Sequence, residues 1–214
     1  MLFENINFLL RDRGALPLSG EAFLGLGPDG LWDIVSQLGY SFETLNTVDL
    51  AKRAKALSAV DIRLVVLDVD GVLTDGGLMY NSHGEEIKRF DVKDGMAITR
   101  AIAAGIEVGI ISAASRSEVV QVRAEILGIK HVYVGKTPKI EVLEEWLYKM
   151  GLGFENVAYI GDDINDVAIL EKVGIGAAPA DAMPEARSAA KVVLRNNGGR
   201  GCVREFFDAY VLKG

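Results

Sequence analysis

From Ile62 onward the chain alternates between two hydrophobic periods, and few folds accept that pattern. Short apolar runs recur at Ile62–Leu67, Val108–Ile111, Val132–Val134, Val157–Ile160 and Val192–Leu194. Each has the length and unbroken apolar character of a strand buried on both faces. Helical stretches lie between them. In Asp94–Ala104 the positions Ile98, Ala101, Ile102 and Gly105 keep one helical face. In Pro138–Met150, Ile140, Leu143, Leu147 and Met150 share a face, while Glu141, Glu144, Glu145 and Lys149 point away from it. Pro138 suits a first helical turn and Gly151 a C-terminal stop. A third helix is expected over Arg116–Leu127, ending at Gly128. Strands alternating with helices imply an α/β fold, a Rossmann-like parallel sheet with helices on both faces.

One segment breaks the rhythm. Gly77–Tyr80 and Glu86–Asp91 flank the turn-rich stretch NSHGE, which predicts a β-hairpin at about residues 77–91. It is inserted after the first strand. Loops at the carboxyl ends of parallel strands hold ligands, so the hairpin is expected beside the site. Residues 1–60 have a different character. RDRGALPLSG and GLGPDG are rich in turn residues, and Leu31–Leu38 and Asp49–Leu57 read as short helices. This extension holds no repeat and no chemical motif, and it reads as an accessory or oligomer-contact segment. Residues 61–214 form the main domain.

Charge and cysteine content narrow the function. The formal net charge of −7 speaks against a nucleic-acid or anionic-membrane surface, though not against a small anionic substrate held by a cation. Cys202 is the single cysteine, so neither an intrachain disulfide nor a cysteine zinc cluster can form. That suits a reducing cytoplasm. MLFENINFLLRDRG places Glu4 before a short apolar run and carries no basic leader, so a secretory signal is not expected. No apolar run approaches the roughly 20 residues of a membrane span.

The acids collect at strand ends. VVLDVDGVLTDG is an apolar strand that runs into Asp68 and then Asp70. VAYIGDDIND repeats the design with Asp162, Asp163 and Asp166. In a parallel sheet both sets emerge at one edge. Like charges placed together need a cation or a shared proton. Carboxylate oxygens suit a hard cation, and Mg²⁺ takes a few carboxylates with water and phosphate oxygens. Asp68 at a strand tip can act as a nucleophile that forms an aspartyl-phosphate. Asp70 can protonate a leaving alcohol and then activate water. Ser112, after the strand Val108–Ile111, can donate to a phosphate oxygen. Lys139, at a helix start, can neutralise the transferring phosphoryl group and Asp68. Each piece alone reads as a turn, a cap or a surface lysine; their order at successive strand ends carries the argument. His83 and His131 lie near no serine–acid constellation and read as structural or exposed.

These residues also carry a resemblance. DVDGVLTDG, Ser112, Lys139 and GDDIND resemble the four motifs of the haloacid dehalogenase superfamily. GEEIKRFDVKDGMAI, GKTPK, YIGDDINDVAIL and NNGGRGCVREFF are similar to the small phosphatases of 3-deoxy-D-manno-octulosonate 8-phosphate and their neuraminate 9-phosphate relatives. The likeness runs from about Ile62 to Asp208. It implies a Mg²⁺-dependent phosphomonoesterase with the hairpin in place of a large cap domain. It implies Asp68, Asp70 and Asp162 as metal ligands, Asp70 through its backbone carbonyl, with Asp163 and Asp166 in support. It points to Thr74, Lys93, Gly95, Arg116, Arg200 and Arg204 as substrate-binding residues. It implies a homotetramer in which the hairpin and the C-terminal tail help close a neighbour's site. Only the glycine-rich start of that tail, NNGGRG, is expected to be free to reach; Val203, Phe206, Phe207 and Tyr210 read as a docked helix.

Two departures stand out. The loop at the second of these motifs, around Ser112, reads ISAASRSEVV, without the glycine common in relatives, and Arg116 stands where they read the sugar. The N-terminal extension is also unusual. Three readings remain at this stage: a phosphatase of a sugar-acid phosphate, of either the octulosonate or the neuraminate type; a catalytically idle oligomeric module; and a phosphoryl-transferring mutase. The last normally needs a cap to exclude water, and no cap-sized insertion is present.

Overall fold

A computed structural model describes residues 1–114 and 118–212. The chain forms two compact units, Met1–Ala59 and the remainder from Val60. The first is helical: α1 (Leu2–Asp12), α2 (Gly20–Leu24), α3 (Pro28–Leu38), α4 (Phe42–Thr47) and α5 (Leu50–Leu57). Local chemistry sets most of these boundaries. The Ser19, Ser41 and Asp49 side chains accept from the first-turn amides of α2, α4 and α5. Pro28 opens α3, and Gly39, at φ +78°, closes it. Ile6, Leu9, Val35, Leu38, Leu45 and Leu50 make a core of their own. Asn5 is buried among them and fully engaged: its Nδ2 donates to Leu45 O (2.8 Å) and Val48 O (2.6 Å), and its Oδ1 accepts from Leu50 N (3.0 Å). One amide thus ties α1 to the α4–α5 junction. The sequence reading found α3 and α5 and left α1 unassigned, because the polar Asn5 and Asn7 interrupt its apolar face.

The second unit is built on β1 (Leu64–Leu67), β4 (Glu107–Ser112), β5 (His131–Val134), β6 (Val157–Ile160), β7 (Ile175–Ala178) and β8 (Val192–Val193). They form a parallel six-stranded sheet in the order β5-β4-β1-β6-β7-β8 among the described residues. Two short strands, β2 (Met79–Tyr80) and β3 (Glu86–Ile87), make a separate antiparallel ribbon. The helices are α6 (Val92–Ala103), α7 (Glu118–Leu127), α8 (Lys139–Met150), α9 (Val167–Lys172), α10 (Pro184–Ala189) and α11 (Cys202–Phe206). Leu64, Val66, Ile111 and Tyr159 face Leu143, Leu147, Ile169 and Leu170 of α8 and α9. Val65 and Leu67 are equally buried, and the pleat sends them to the other side. The α/β class and the doubly covered parallel sheet are therefore as expected.

The strand order matters for function. The chain leaves β1 for β4 and β5 on one side, then crosses to β6, β7 and β8 on the other. The carboxyl end of β1 is thus the point where the order reverses, and such points open a crevice.

Three elements differ from expectation. β7 reads IGAA, without a branched apolar run, and was not expected. A β-carbon at Gly176 would overlap the carbonyl of Leu170, so close packing of α9 against the sheet selects small residues there. The hairpin is shorter than residues 77–91 suggested, with only Met79↔Ile87 and Tyr80↔Glu86 paired. Its turn is built by Asn81, whose Oδ1 accepts from His83 N and Glu85 N, both at 2.9 Å. The glycine-rich start of the tail is not free. Gly199 N donates to Val72 O (2.9 Å), Gly198 N to Asp181 Oδ1 (2.9 Å) and Gly201 N to Asp94 Oδ2 (3.2 Å). A β-carbon at Gly198 would overlap the Gly71 carbonyl, so this segment is packed on the chain's own loop after β1. The docked second half is as read, with Val203, Phe206 and Phe207 buried.

Candidate functional site

Four strand or helix ends deliver the acids and their lysine to the crevice. Asp68 directly follows β1 and continues its pairing, Asp68 N to Ile160 O at 3.0 Å. Its Oδ1 accepts from Val69 N (2.7 Å), and its Oδ2 pairs with Lys139 Nζ (2.8 Å). Lys139 is the first residue of α8 and is buried. Its Nζ also meets Asp166 Oδ1 at 2.6 Å. Burial pulls the Lys139 ammonium down, but Asp68 and Asp166 outweigh it and hold it above the usual lysine value.

Asp166 ends a single 3-10 turn after β6 and is fully buried. Its Oδ1 takes Lys139 and the Tyr159 hydroxyl, and its Oδ2 takes Asp162 N (2.9 Å) and Asp163 N (3.1 Å). Both oxygens are therefore occupied by two donors each. Asp166 organises the loop and the lysine and keeps no lone pair to offer.

Asp162 and Asp68 are left with a problem. Burial, and then the charges of Asp68 and Asp166, push Asp162 up to about 8. Burial, and then Asp166, push Asp68 up to about 7, against the pull of Lys139. One lysine cannot balance the three carboxylates. Oxygens of Asp68, Asp162 and Asp166 lie within 4.8 Å of one another. Because Asp166 is saturated, Asp68 and Asp162 are the side chains able to hold a cation. The all-oxygen donor set fits Mg²⁺.

Asp68 and Asp162 wall a cavity of about 320 Å³ together with Asp70, Ser112 and Asp163. Ser112 ends β4 and is buried, and its Oγ accepts from Ala114 N at 3.1 Å. The hydroxyl keeps its own proton for a ligand. Asp163 caps the 3-10 turn through Ile164 N (2.6 Å). Asp70 Oδ1 accepts from Lys88 Nζ at 2.5 Å and lies 3.3 Å from Thr74 Oγ1.

The expected substrate-binding residues are dispersed. Thr74 is buried and spends its hydroxyl on the loop, near Val69 O and Asp70 Oδ1 and accepting from Gly76 N, each at 3.3 Å. Lys93 is exposed on the first turn of α6. Gly95 is a packing position: a β-carbon there would fall 2.6 Å from Arg123 Nη2. Arg200 is exposed and pairs with Asp75 at 3.6 Å, and Arg204 pairs with Asp208. None of these five lines the cavity of its own chain. Arg116 lies outside the described residues. His83 is exposed, and His131 pairs with Glu107 at 3.2 Å and packs against Trp146.

Sequence reasoning missed three contributors. Tyr159 looked like an ordinary core residue of VAYI. Asn165 lines the cavity but was read only as part of GDDIND. Lys88 was not singled out within the hairpin. The one local hint is that Glu86 and Lys88, two apart in the extended stretch the sequence predicts, carry opposite charge.

Comparison with known proteins gives four consistent likenesses. A family model described as haloacid dehalogenase-like hydrolase matches residues 128–206. The 3-deoxy-D-manno-octulosonate 8-phosphate phosphatase of Escherichia coli (strain K12) is 45% identical over 154 residues, 72% of this chain and 81% of that one. The solved structure of the phosphatase of that name from Yersinia pestis matches with a TM-score of 0.70 at 41% identity, covering 77% of this chain and 86% of that chain. Another, from Moraxella catarrhalis, was solved in complex with a magnesium ion, a phosphate ion and a KDO molecule. It matches with a TM-score of 0.68 at 33% identity, covering 76% of this chain and 90% of that chain.

Proposed function

The chain belongs to the haloacid dehalogenase superfamily, among the relatives of 3-deoxy-D-manno-octulosonate 8-phosphate phosphatase, and is a phosphatase; from that premise we propose that it hydrolyses a sugar-acid phosphate of this type through an aspartyl-phosphate on Asp68. The observation that carries the mechanism is the buried Asp68–Lys139–Asp166 chain beside Asp162, with Ser112 lining the same cavity as Asp68.

In this reading Asp68 and Asp162, with the Asp70 carbonyl, would hold Mg²⁺, which would supply charge neutralisation for the phosphoryl oxygens. The Asp68 carboxylate attacks phosphorus, a new O–P bond forms, and the ester P–O bond breaks. Asp70 passes its proton to the departing alkoxide, so the sugar leaves as a neutral alcohol. Asp70, now a carboxylate, takes a proton from a water that attacks the acyl phosphate. That breaks the Asp68–phosphorus bond and releases phosphate. Ser112 donates to a phosphoryl oxygen throughout. Lys139 holds the carboxylate of Asp68 in place and offsets negative charge as it builds. A module without activity would have no need to keep an unbalanced carboxylate pair buried.

The same reading includes a homotetramer and a cytoplasmic location. The hairpin supports the first: Leu78, Met79, Tyr80 and Ile87 each remain about half exposed or more, which a stable two-stranded ribbon does not favour unless it packs on something. Light scattering during gel filtration tests it, and a fully active monomer rules it out. No helix among the described residues is long and apolar enough to cross a membrane.

The deciding experiment is phosphate release with Mg²⁺ across 3-deoxy-D-manno-octulosonate 8-phosphate, N-acetylneuraminate 9-phosphate and simple hexose 6-phosphates. The octulosonate ester is expected to give the highest kcat/KM. A preference for the neuraminate ester reassigns the substrate, and no release from any sugar-acid phosphate removes the reading.

A further inference from the structure

The hairpin sends one charged side chain back into the site. Lys88 follows β3, and its Nζ lies 2.5 Å from Asp70 Oδ1 and 2.6 Å from Glu86 Oε1. The Lys88 side chain is 1% exposed and that of Glu86 6%, on a ribbon whose apolar residues are largely open to solvent. A buried ammonium is costly unless carboxylates meet it closely. Here two do, and they have different tasks. Asp70 lines the cavity, whereas Glu86 is a residue of β3 and holds Lys88 from the hairpin side.

Both donors near Asp70 approach the same atom. Lys88 Nζ and Thr74 Oγ1 meet Oδ1, and among the described residues no hydrogen bond reaches Oδ2. A planar carboxylate fixed through one oxygen presents the other in one direction. We propose that Lys88 is the positioning residue for acid–base catalysis: held by Glu86, it anchors Asp70 through Oδ1 and leaves Oδ2 to exchange the proton. The inference rests on the acid–base role of Asp70 proposed above. In the first half-reaction Oδ2 gives its proton to the alkoxide as the ester P–O bond breaks, and the carboxylate that remains lies against the ammonium. In the second half Oδ2 takes the proton from the attacking water.

The consequence is a dependence on the leaving group. A sugar alkoxide must be protonated as it departs; a p-nitrophenolate need not be. In a covalent mechanism kcat/KM reports transfer to Asp68, before the hydrolysis that both substrates share. Lys88→Met is expected to lower kcat/KM for the sugar phosphate about 10²-fold, within what general acid–base catalysis contributes. For p-nitrophenyl phosphate the loss is expected to stay under about tenfold, with KM little changed for either. Lys88→Arg is expected to recover much of the sugar-phosphate activity, because a guanidinium can meet both carboxylates. If the single variant does not fold, Lys88→Met with Glu86→Met removes both buried charges and leaves neither stranded; it is read the same way. Equal loss on the two substrates, in a variant with the wild-type thermal midpoint, overturns the inference. Asp70→Asn separates this from the reading beneath it. Equal loss there removes the acid role of Asp70 and the inference together. Selective loss in Asp70→Asn beside equal loss in Lys88→Met removes only the inference.

Discussion

Gly71 and Asp162 compete for one space: a β-carbon on Gly71 would overlap the Asp162 carboxylate. Gly71 also sits at φ +82°, a conformation that side chains resist. The glycine after the two motif aspartates is therefore what lets the loops from β1 and β6 close on each other. Gly71→Ala is expected to cost about 1–3 kcal/mol of stability. Its larger effect is on the site, because the flexible Asp162 side chain is the group that yields. Weaker Mg²⁺ binding in calorimetric titration, together with a greater loss of turnover than of stability, is the expected pattern. Unchanged Mg²⁺ affinity in a folded variant contradicts the close approach.

Asp68→Asn keeps the shape and removes the nucleophile. Turnover is expected to drop by more than about 10³-fold, the scale seen when a covalent catalyst is removed. Stability moves the other way in chelator. In the folded metal-free protein Asp68 is raised to about 7 and Asp162 to about 8, against an unfolded value near ~3.9. A raised carboxyl binds its proton more tightly when folded, so its contribution is complete below pH ~4. That contribution is lost as pH rises through 7 to 8. Calorimetry in chelator is expected to show the wild type losing stability over that range more steeply than Asp68→Asn. Parallel curves for the two proteins dispose of the electrostatic account.

Mg²⁺ is expected to restore what the acids lose. Activity should vanish in excess chelator and return with Mg²⁺. Added Mg²⁺ should raise the thermal midpoint more at pH 8 than at pH 5, since only ionised carboxylates compete with protons for the metal. Asp162→Ala is expected to weaken Mg²⁺ about 10²-fold or more, beyond what an outer partner contributes. Asp166→Asn should act differently: it breaks the hold on Lys139 and the 162–163 amides, and is expected to destabilise the fold as well as the site. Full activity of the wild type in chelator would falsify the metal-dependent reading.

Much of the sheet was legible because β1, β4, β5 and β6 advertise themselves through branched apolar runs. β7 was not, because close packing at Gly176 and the alanines beside it remove that signature. The acids were legible because charge at the end of an apolar run is conspicuous on its own. Their division of labour was not. Nothing in GDDIND says that Asp166 is saturated while Asp162 is left unbalanced; that depends on Tyr159 and Lys139 arriving from other elements. Lys88 was hidden for the same reason, since its partner Asp70 lies 18 residues away. The tail's glycines were misread because flexibility in sequence is equally the mark of a backbone that must approach another closely, as Gly198 approaches Gly71.

Asp94 shows how that tail is held. It lies in the first turn of α6 and is buried, and its carboxylate accepts from Gly201 N (3.2 Å) and Arg204 N (2.7 Å) at the start of α11. One side chain therefore caps a helix far away in sequence and pins the segment that packs on the β1 loop. Burial pushes Asp94 up to about 6, although the two amides favour its charged form. With the unfolded value near ~3.9, the folded state holds the proton more tightly between the two values. The stabilisation from proton uptake is complete below pH ~4 and is lost as pH rises through about 6, a change of about 2–3 kcal/mol. Asp94→Ala cannot titrate, and the cap is lost at every pH. Chemical denaturation of both proteins from pH 4 to pH 7, with Mg²⁺ kept saturating, measures the difference. The advantage of the wild type over Asp94→Ala is expected to be largest near pH 4 and to shrink by roughly that amount by pH 7. A constant gap between the two across the range means that Asp94 titrates at an ordinary carboxylate value, and a gap that widens with pH means that the amides, not burial, control it.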